Sequence, residues 1–232
     1  HCGHRELSIV SQSSPAGTQY FPATGAGFSL LRNKENAVVY VSSGEGTTSQ
    51  GDYHEALNWA SREKSPVIFH IQDNHYAISV PIQNQTAGSS VYNISSGYEN
   101  LARYNVDGTN FFETHMAFSK AVDRARQGKG PSLIVSDVVR LLPHSSSDDQ
   151  RKYRSEEELK NDLERDPLLI FESSCVDVGI IKKNEFDKLK IQLKKQVDED
   201  AEWAELKNDP VSLNYVKNLF SSSNVNHKND LN

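Results

Sequence analysis

The chain has 232 residues, with 25 Lys and Arg against 31 Asp and Glu and a formal net charge of −6. That balance, with a sequence pI near 5.8, argues against a general nucleic-acid-binding surface, which needs clustered positive charge to neutralise phosphates. Hydrophobic residues make up 36%, below the about 45–50% usual for globular chains, and no run approaches the roughly 20 apolar residues of a membrane helix. The expectation is a soluble, intracellular core with polar appendages and no membrane partner. Cys2 and Cys175 lie far apart without CxxC spacing, so neither a disulfide framework nor a thiolate zinc site is expected. His1 opens the chain and Met116 is its single methionine, so the chain is expected to be part of something longer.

Residues 8–33 begin with a Ser, Pro and Gly turn and continue into a segment with Ala23, Gly25, Ala26 and Gly27, small residues that let a helix approach another backbone. AVVYVSS at 37–43 reads as a strand buried on both faces of a parallel sheet and ending at Gly44. From Asp52, the spacing of Tyr53, Ala56, Leu57 and Ala60 predicts an amphipathic helix that Ser65-Pro66 breaks, and VIFHIQ at 67–72 is the next buried strand. A second helix starts with a capping box, Asn110-x-x-Glu113, and carries Phe112, Met116, Ala117, Ala121 and Val122 as its apolar positions. SLIVSDVV at 132–139 is a third strand. The pattern is α/β, a parallel sheet flanked by helices. Ser155-x-x-Glu158 starts another helix, and Asn184 to about Trp203 is a solvated lysine- and acid-rich helix. The expected organisation is an α/β domain over 1–183, a helical extension over 184–220 and a polar tail or linker over 221–232.

Gly44-Glu45-Gly46 ends the first strand, and Asp73-Asn74 ends the next after 26 intervening residues, so both reach the same edge of a parallel sheet. A carboxylate beside an amide carbonyl suits a hard divalent cation that leaves positions open for phosphates, and flanking glycines allow backbone to approach a diphosphate. No GK[ST] follows the glycines, and Gly44-x-Gly46-x-x-Ser49 lacks the third dinucleotide-fold glycine. His54, His70, His75 and His115 read as ordinary histidines, with no HxxxH spacing.

The stretch GEGTTSQGDYHEALNWASREKSPVIFHIQDNHYAIS resembles the thiamine-diphosphate motif of the alpha subunits of 2-oxo acid dehydrogenase decarboxylating components, most like branched-chain 2-oxoisovalerate dehydrogenases. The resemblance extends to SQSSPAGTQ at 11–19, VDGTNFFET at 106–114 and VVRLLPHSSSDDQRKYRSEEEL at 138–159, and HCG at the start looks like the middle of a family block, with roughly the first hundred family residues absent. It implies the diphosphate-binding domain of the thiamine-diphosphate fold. It implies Mg²⁺ held by Glu45, Asn74 and the Tyr76 carbonyl, and cofactor contacts from Ser14, Pro15, Ala16, Gly44, Glu45, Gly46, Asn74, Tyr76, Ala77 and His144. It further implies K⁺ held by Ser14, Thr18 and Gln19, a catalytic His144, and at Ser145 the serine that is phosphorylated in mitochondrial relatives. Asp73 stands in place of the motif's first asparagine, and Gln72 stands where some branched-chain relatives have a diphosphate-binding arginine.

The partners so implied are a beta subunit or fused beta-like half, in a heterotetramer or a homodimer of fused chains, and a lipoyl transacylase. The site would be cytoplasmic, or in the mitochondrial matrix of a eukaryote. The implied reaction is oxidative decarboxylation of branched-chain 2-oxo acids with acyl transfer to lipoamide. Pyruvate or acetoin dehydrogenase is the nearer alternative, and a non-catalytic interaction or scaffold module the one from another class. The loop from about Arg140 to Arg154 is expected to be mobile without cofactor and, with cofactor present, ordered by pairing of those two arginines with Asp148 and Asp149.

Overall fold

The computed structural model of the chain describes residues 3–209, so Cys2 and the polar tail expected at 221–232 lie outside the described residues. The chain divides into two compact units, the first ending at Val178 and the second beginning at Gly179. In chain order the first unit holds α1 (Tyr20–Asn33), β1 (Val39–Gly44), a 3-10 turn (Glu45–Ser49), α2 (Gly51–Glu63), β2 (Val67–Asp73), a short hairpin of β3 (Tyr76–Ala77) and β4 (Val80–Pro81), a single turn α3 (Val91–Ile94), β5 (Ala102–Asp107), α4 (Phe111–Arg126), β6 (Ser132–Asp137), α5 (Glu156–Glu164) and α6 (Pro167–Asp177). The second holds α7 (Lys183–Glu205). Among the described residues no helix is long and apolar enough to cross a membrane.

Four strands form one parallel sheet in the order β1-β2-β6-β5. Alternation on the two inner strands divides the core in two. Val67, Phe69 and Ile71 of β2 and Leu133 and Val135 of β6 pack with Tyr20 and with Tyr53, Ala56, Leu57 and Ala60 of α2. Ile68 and Ile134 pack on the opposite face with Ala117 and Ala121 of α4. The α2 stripe read from sequence is therefore fully buried. Its helix stops where Lys64 turns left-handed (φ 54°) and the Ser65 N–H bonds back to the Ala60 carbonyl, just before Pro66. Gly27 meets the close-approach expectation, since a Cβ there would stand 2.5 Å from Val67 Cγ2, whereas Gly25 faces open space.

Three sequence readings are corrected. The 37–43 strand is not buried on both faces: β1 is an edge of the sheet, and Tyr40 is 55% exposed. On α4 the buried stripe is Ala117, Ala121 and Ala125, while Phe112 and Met116 are 45% and 56% exposed. Small residues let α4 lie close to the sheet, and that turns the larger side chains outward. The capping box at Asn110 is half formed. Asn110 Oδ1 accepts the N–H groups of Phe112 and Glu113, but Glu113 Oε1 accepts the N–H of Asp107. The sequence reading passed over β5, whose ARYNVD alternates only weakly, over the β3–β4 hairpin, and over α6, whose signal was Asp166 capping ahead of Pro167. The solvated reading of the last long helix holds: α7 buries no residue and carries the (i, i+4) pairs Lys194–Asp198 and Lys195–Glu199.

His70 threads the sheet. Its Nδ1 lies 2.9 Å from the Tyr40 hydroxyl and its Nε2 3.0 Å from Ser136 Oγ, and the Phe118 ring meets it edge-on. Burial holds its pKa below the ordinary histidine value, so the unfolded chain takes up this proton at a higher pH than the folded one. The stability contributed by neutral His70 is complete above about pH 6.5 and is lost as pH falls toward the folded value, at up to about 1.4 kcal/mol per pH unit. In urea unfolding, wild type is expected to lose more stability than His70→Gln between about pH 7.5 and about pH 5.5. Equal losses would place the acid sensitivity on other groups.

Candidate active site

The carboxyl edge of the sheet gathers the polar residues. Gly44 pairs with Gln72 at the end of β1, and the chain then folds into the 3-10 turn that carries Glu45. Two bonds to the Glu45 carbonyl pin that turn, from Thr48 Oγ1 at 2.7 Å and from Gln85 Nε2 at 3.0 Å. The Glu45 side chain is fully buried. Its Oε2 accepts the Asn74 N–H at 3.2 Å, while Oε1 has no hydrogen-bond partner among the described residues. Burial pushes the Glu45 carboxyl above its usual range; the N–H groups of Glu45 and Asn74 pull it down, Asp73 adds to the rise and His75 opposes it. Asp73 is raised as well, again chiefly by burial.

After β2 the chain reverses through two side-chain turns. Asp73 Oδ1 accepts the His75 N–H at 2.9 Å, and Asn74 Oδ1 accepts the Tyr76 N–H at 3.1 Å, with His75 held left-handed at φ 68°. Tyr76 and Pro81 form a non-hydrogen-bonded pair of the hairpin, flanked by the bond from the Ile82 N–H to the His75 carbonyl at 2.8 Å, so the Tyr76 carbonyl points away from β4. An unpartnered buried carboxylate oxygen, an amide oxygen with a second lone pair and a carbonyl turned away from its hairpin partner are hard oxygen donors of the kind a divalent cation takes. Glu45, Asn74 and Tyr76 could hold such an ion. Among the described residues no group of three or more His, Cys, Asp or Glu could hold a metal, so any ion here would rely on amide and carbonyl oxygens beside a single carboxylate.

Gly46 and Ala77 are brought into contact. A Cβ at Gly46 would stand 2.8 Å from Ala77 Cβ and 3.2 Å from Ala77 Cα, so only glycine lets the turn lie on the hairpin. Gly46→Ala is expected to lower stability by about 1–3 kcal/mol, with part of the loss recovered when Ala77→Gly is added and its own cost subtracted. Denaturant unfolding reads the cycle, and an unchanged midpoint in Gly46→Ala would mean that turn and hairpin separate freely.

The 13–19 turn lies beside β1. Gln19 Nε2 donates to the Ser42 carbonyl at 3.3 Å, its Oε1 is buried without a hydrogen-bond partner, and the Tyr20 hydroxyl bonds to Ser43. Burial pushes the Tyr20 hydroxyl up to about 12. Thr18 Oγ1 donates to the Pro15 carbonyl at 2.9 Å, and the Ser13 hydroxyl lies 2.5 Å from it. Ser14, Pro15 and Ala16 are exposed.

The loop after β6 departs from the expected pairing. Arg140 does not bond directly to an aspartate: Nη1 donates to the Ile78 carbonyl at 2.7 Å and Nη2 to the Tyr153 hydroxyl at 2.6 Å. That hydroxyl donates to Asp148 Oδ2 at 2.6 Å, and the same oxygen accepts the His144 N–H at 2.9 Å. Asp149 pairs with Arg151. Arg154 turns to Glu158 and Asp162 on α5, and also donates to the Arg140 carbonyl and to Gln150 Oε1. A tyrosine hydroxyl between two charged groups satisfies both at longer reach, which sequence reasoning had no means to anticipate. His144 and Ser145 are exposed on this loop.

Other parts of the edge escaped the sequence reading. Asp73, Asp137 and Asp107 stand in register at the ends of three adjacent strands. His75 Nε2 lies 3.2 Å from Asp137, and Arg165 bridges Asp137 and Asp107 at 3.5 and 3.6 Å. Gln85 reaches Glu45 across 40 positions, with no local signal.

The dehydrogenase E1 component family matches residues 1–212 of the chain. The 2-oxoisovalerate dehydrogenase subunit alpha of Bacillus subtilis is 38% identical over 181 residues, covering 78% of this chain and 54% of that protein. The 3-methyl-2-oxobutanoate dehydrogenase subunit alpha of Mycobacterium tuberculosis is 38% identical over 168 residues, 72% of this chain and 46% of its own. The pyruvate dehydrogenase E1 component subunit alpha of Staphylococcus aureus is 36% identical over 177 residues, 75% of this chain and 47% of its own. The chain thus spans about half the length of the curated relatives it matches.

Proposed function

The chain belongs to the dehydrogenase E1 component family, and from that premise we propose that it supplies the thiamine-diphosphate and Mg²⁺ half of a 2-oxo acid dehydrogenase. The observation that carries this reading is the buried Glu45 carboxylate with one oxygen unpartnered, beside Asn74 and the Tyr76 carbonyl at the carboxyl edge of a parallel sheet. Thiamine diphosphate supplies the carbanion chemistry that releases CO₂ from 2-oxo acids. This chain's residues do the holding. Glu45, Asn74 and Tyr76 offer oxygens to Mg²⁺, the Gly44–Gly46 turn gives backbone room for a diphosphate, and the 13–19 turn, with Ser14, Thr18 and Gln19, offers oxygens to K⁺. His144, on its loop, stands as the candidate to hold or move a proton, or to orient lipoamide.

The substrate proposed is a branched-chain 2-oxo acid of the 2-oxoisovalerate type, with acyl transfer to lipoamide on a transacylase. A beta-type partner or fused half completes the site. Pyruvate is the second reading, favoured by the 36% identity to a pyruvate dehydrogenase alpha subunit. The full-length protein, combined with its beta partner, is the material for the test: 2-oxoisovalerate, pyruvate and 2-oxoglutarate are compared by kcat/KM, with Mg²⁺ present and removed. The expected result is Mg²⁺-dependent turnover highest with 2-oxoisovalerate. Highest turnover with pyruvate would transfer the assignment to the second reading, and turnover by the alpha chain alone would refute the shared site.

A further inference from the structure

The long helix α7 is amphipathic. Phe186, Leu189, Leu193, Val197, Ala201 and Ala204 recur at steps of three or four and so share one face. Leu189, Leu193 and Val197 on that face are 41%, 49% and 65% exposed, and Ala201 and Ala204 are exposed with them. A contiguous apolar row left in water marks an interaction surface. The row is symmetric about Lys195. Leu193 and Val197 stand two positions to either side of it, Leu189 and Ala201 six, and Phe186 and Ala204 nine. In the two outer pairs a large side chain on the N-terminal side answers an alanine on the C-terminal side. The charge divides at the same point. From Lys182 to Lys195 there are six lysines against two acids, and from Gln196 to Glu205 five acids and no base. The last turn thus carries acid and no base, the sign that a helix C-terminus disfavours.

We propose that α7 is an interaction surface for a second copy of this chain, the two helices pairing antiparallel about a two-fold axis at the level of Lys195. The inference stands apart from the cation-site reading above. A two-fold contact must be self-complementary, with residue i meeting j and j meeting i, and the row meets that condition in both size and charge. Antiparallel pairing sets Leu193 of one copy beside Val197 of the other and Leu189 beside Ala201, so bulk faces space in each layer. It also lays the basic half of each helix along the acidic half of its mate, and brings Lys190 to the level of Asp200, both of which flank the row. The acidic C-terminal turn then gains the positive neighbours that its own helix lacks. Parallel pairing would put lysines against lysines and acids against acids, a juxtaposition that costs affinity. The charge pattern therefore selects the direction, and the symmetric row selects the register.

The test is disulfide trapping under mild oxidation, in the full-length protein with its beta partner. In the proposed register position 189 of one copy meets position 201 of the other. The two 189 positions lie about 18 Å apart along the axis, beyond the roughly 7 Å between Cα atoms that a disulfide tolerates. Positions 189 and 201 of one helix are equally far apart and cannot bond to each other. Leu189→Cys/Ala201→Cys is therefore expected to give a covalent dimer of this chain, and each single variant no more of it than wild type. Adding Leu193→Asp to the double-cysteine chain is expected to lower the initial rate of trapping about 10-fold or more, the loss of a buried leucine. Adding Asp200→Lys lowers it about 2- to 5-fold, as an exposed ion pair would, and adding Lys190→Glu as well restores it, because the swapped charges again complement each other. A covalent product with the beta partner, trapping by either single variant, or none by the double variant would each overturn the pairing. Trapping that ignores both Leu193→Asp and Asp200→Lys would reduce it to random collision and overturn it too.

Discussion

Glu45→Gln is expected to weaken Mg²⁺-dependent binding of thiamine diphosphate by about 100-fold or more, since even groups that only support metal ligands cost about 10- to 100-fold when removed. The metal-free chain is expected to be no less stable. Glu45 is fully buried, its Oε1 has no hydrogen-bond partner among the described residues, and burial is the largest influence on its carboxyl. A buried polar group left without a partner costs about 1–3 kcal/mol, more when charged, so the neutral amide relieves a penalty that only a bound cation offsets. The two readouts therefore move apart, with cofactor affinity by calorimetry falling and the unfolding midpoint without metal holding or rising. If the midpoint fell by as much as a core substitution would cause and the affinity stayed level, Glu45 would be a structural residue and the assignment would fail.

Arg154→Met is expected to destabilise the protein and release the 140–154 loop. The Arg154 side chain is 2% exposed and serves Asp162, Glu158, Gln150 and the Arg140 carbonyl. Removing one partner of a fully buried ion pair costs about 3–5 kcal/mol. Glu158 and Asp162 are partly open to water, so the expected loss here is about 2–3 kcal/mol. Arg154→Lys keeps the charge but not the planar fork that serves several acceptors at once, and is expected to fall between. Urea unfolding gives the energies, and hydrogen exchange over 140–154 should rise in the same order. A loss under about 0.5 kcal/mol, the range of ordinary surface changes, would show that the network does not hold the loop.

Several features were legible from the chain alone because their causes are local. The period of Tyr53, Ala56, Leu57 and Ala60 determines which face α2 buries, whatever lies beneath it. The continuous apolar runs of β2 and β6 require cover on both sides, so a parallel sheet between helix layers follows from them. The ends of β1 and β2 carry Glu45 and Asp73-Asn74 to one edge by topology, and the hydrogen bond from the Asn74 N–H to Glu45 shows the meeting. The small α4 residues were recognised as helical, but their periodicity could not tell that Ala117 and Ala121, rather than Phe112 and Met116, would be the buried side. An amphipathic pattern marks a stripe and leaves its partner unnamed.

What the tertiary structure alone decided are the choices among chemically equal partners. Any of several acids could have taken Arg140 and Arg154. The packing of α5 gave Arg154 to Glu158 and Asp162, and set the Tyr153 hydroxyl between Arg140 and Asp148. Ser13 meets Thr18 across a turn that passes through Gly17, left-handed at φ 92°. Gln85 pins the Glu45 turn from 40 positions away, and Ile78 takes an arginine from 62 positions away. Periodicity and capping act within a few residues and are written in the local sequence. Contacts across such separations are chosen by the geometry of the assembled sheet, where one more hydrogen bond of about 0.5–1.5 kcal/mol net is enough to select one partner over another of the same chemical type.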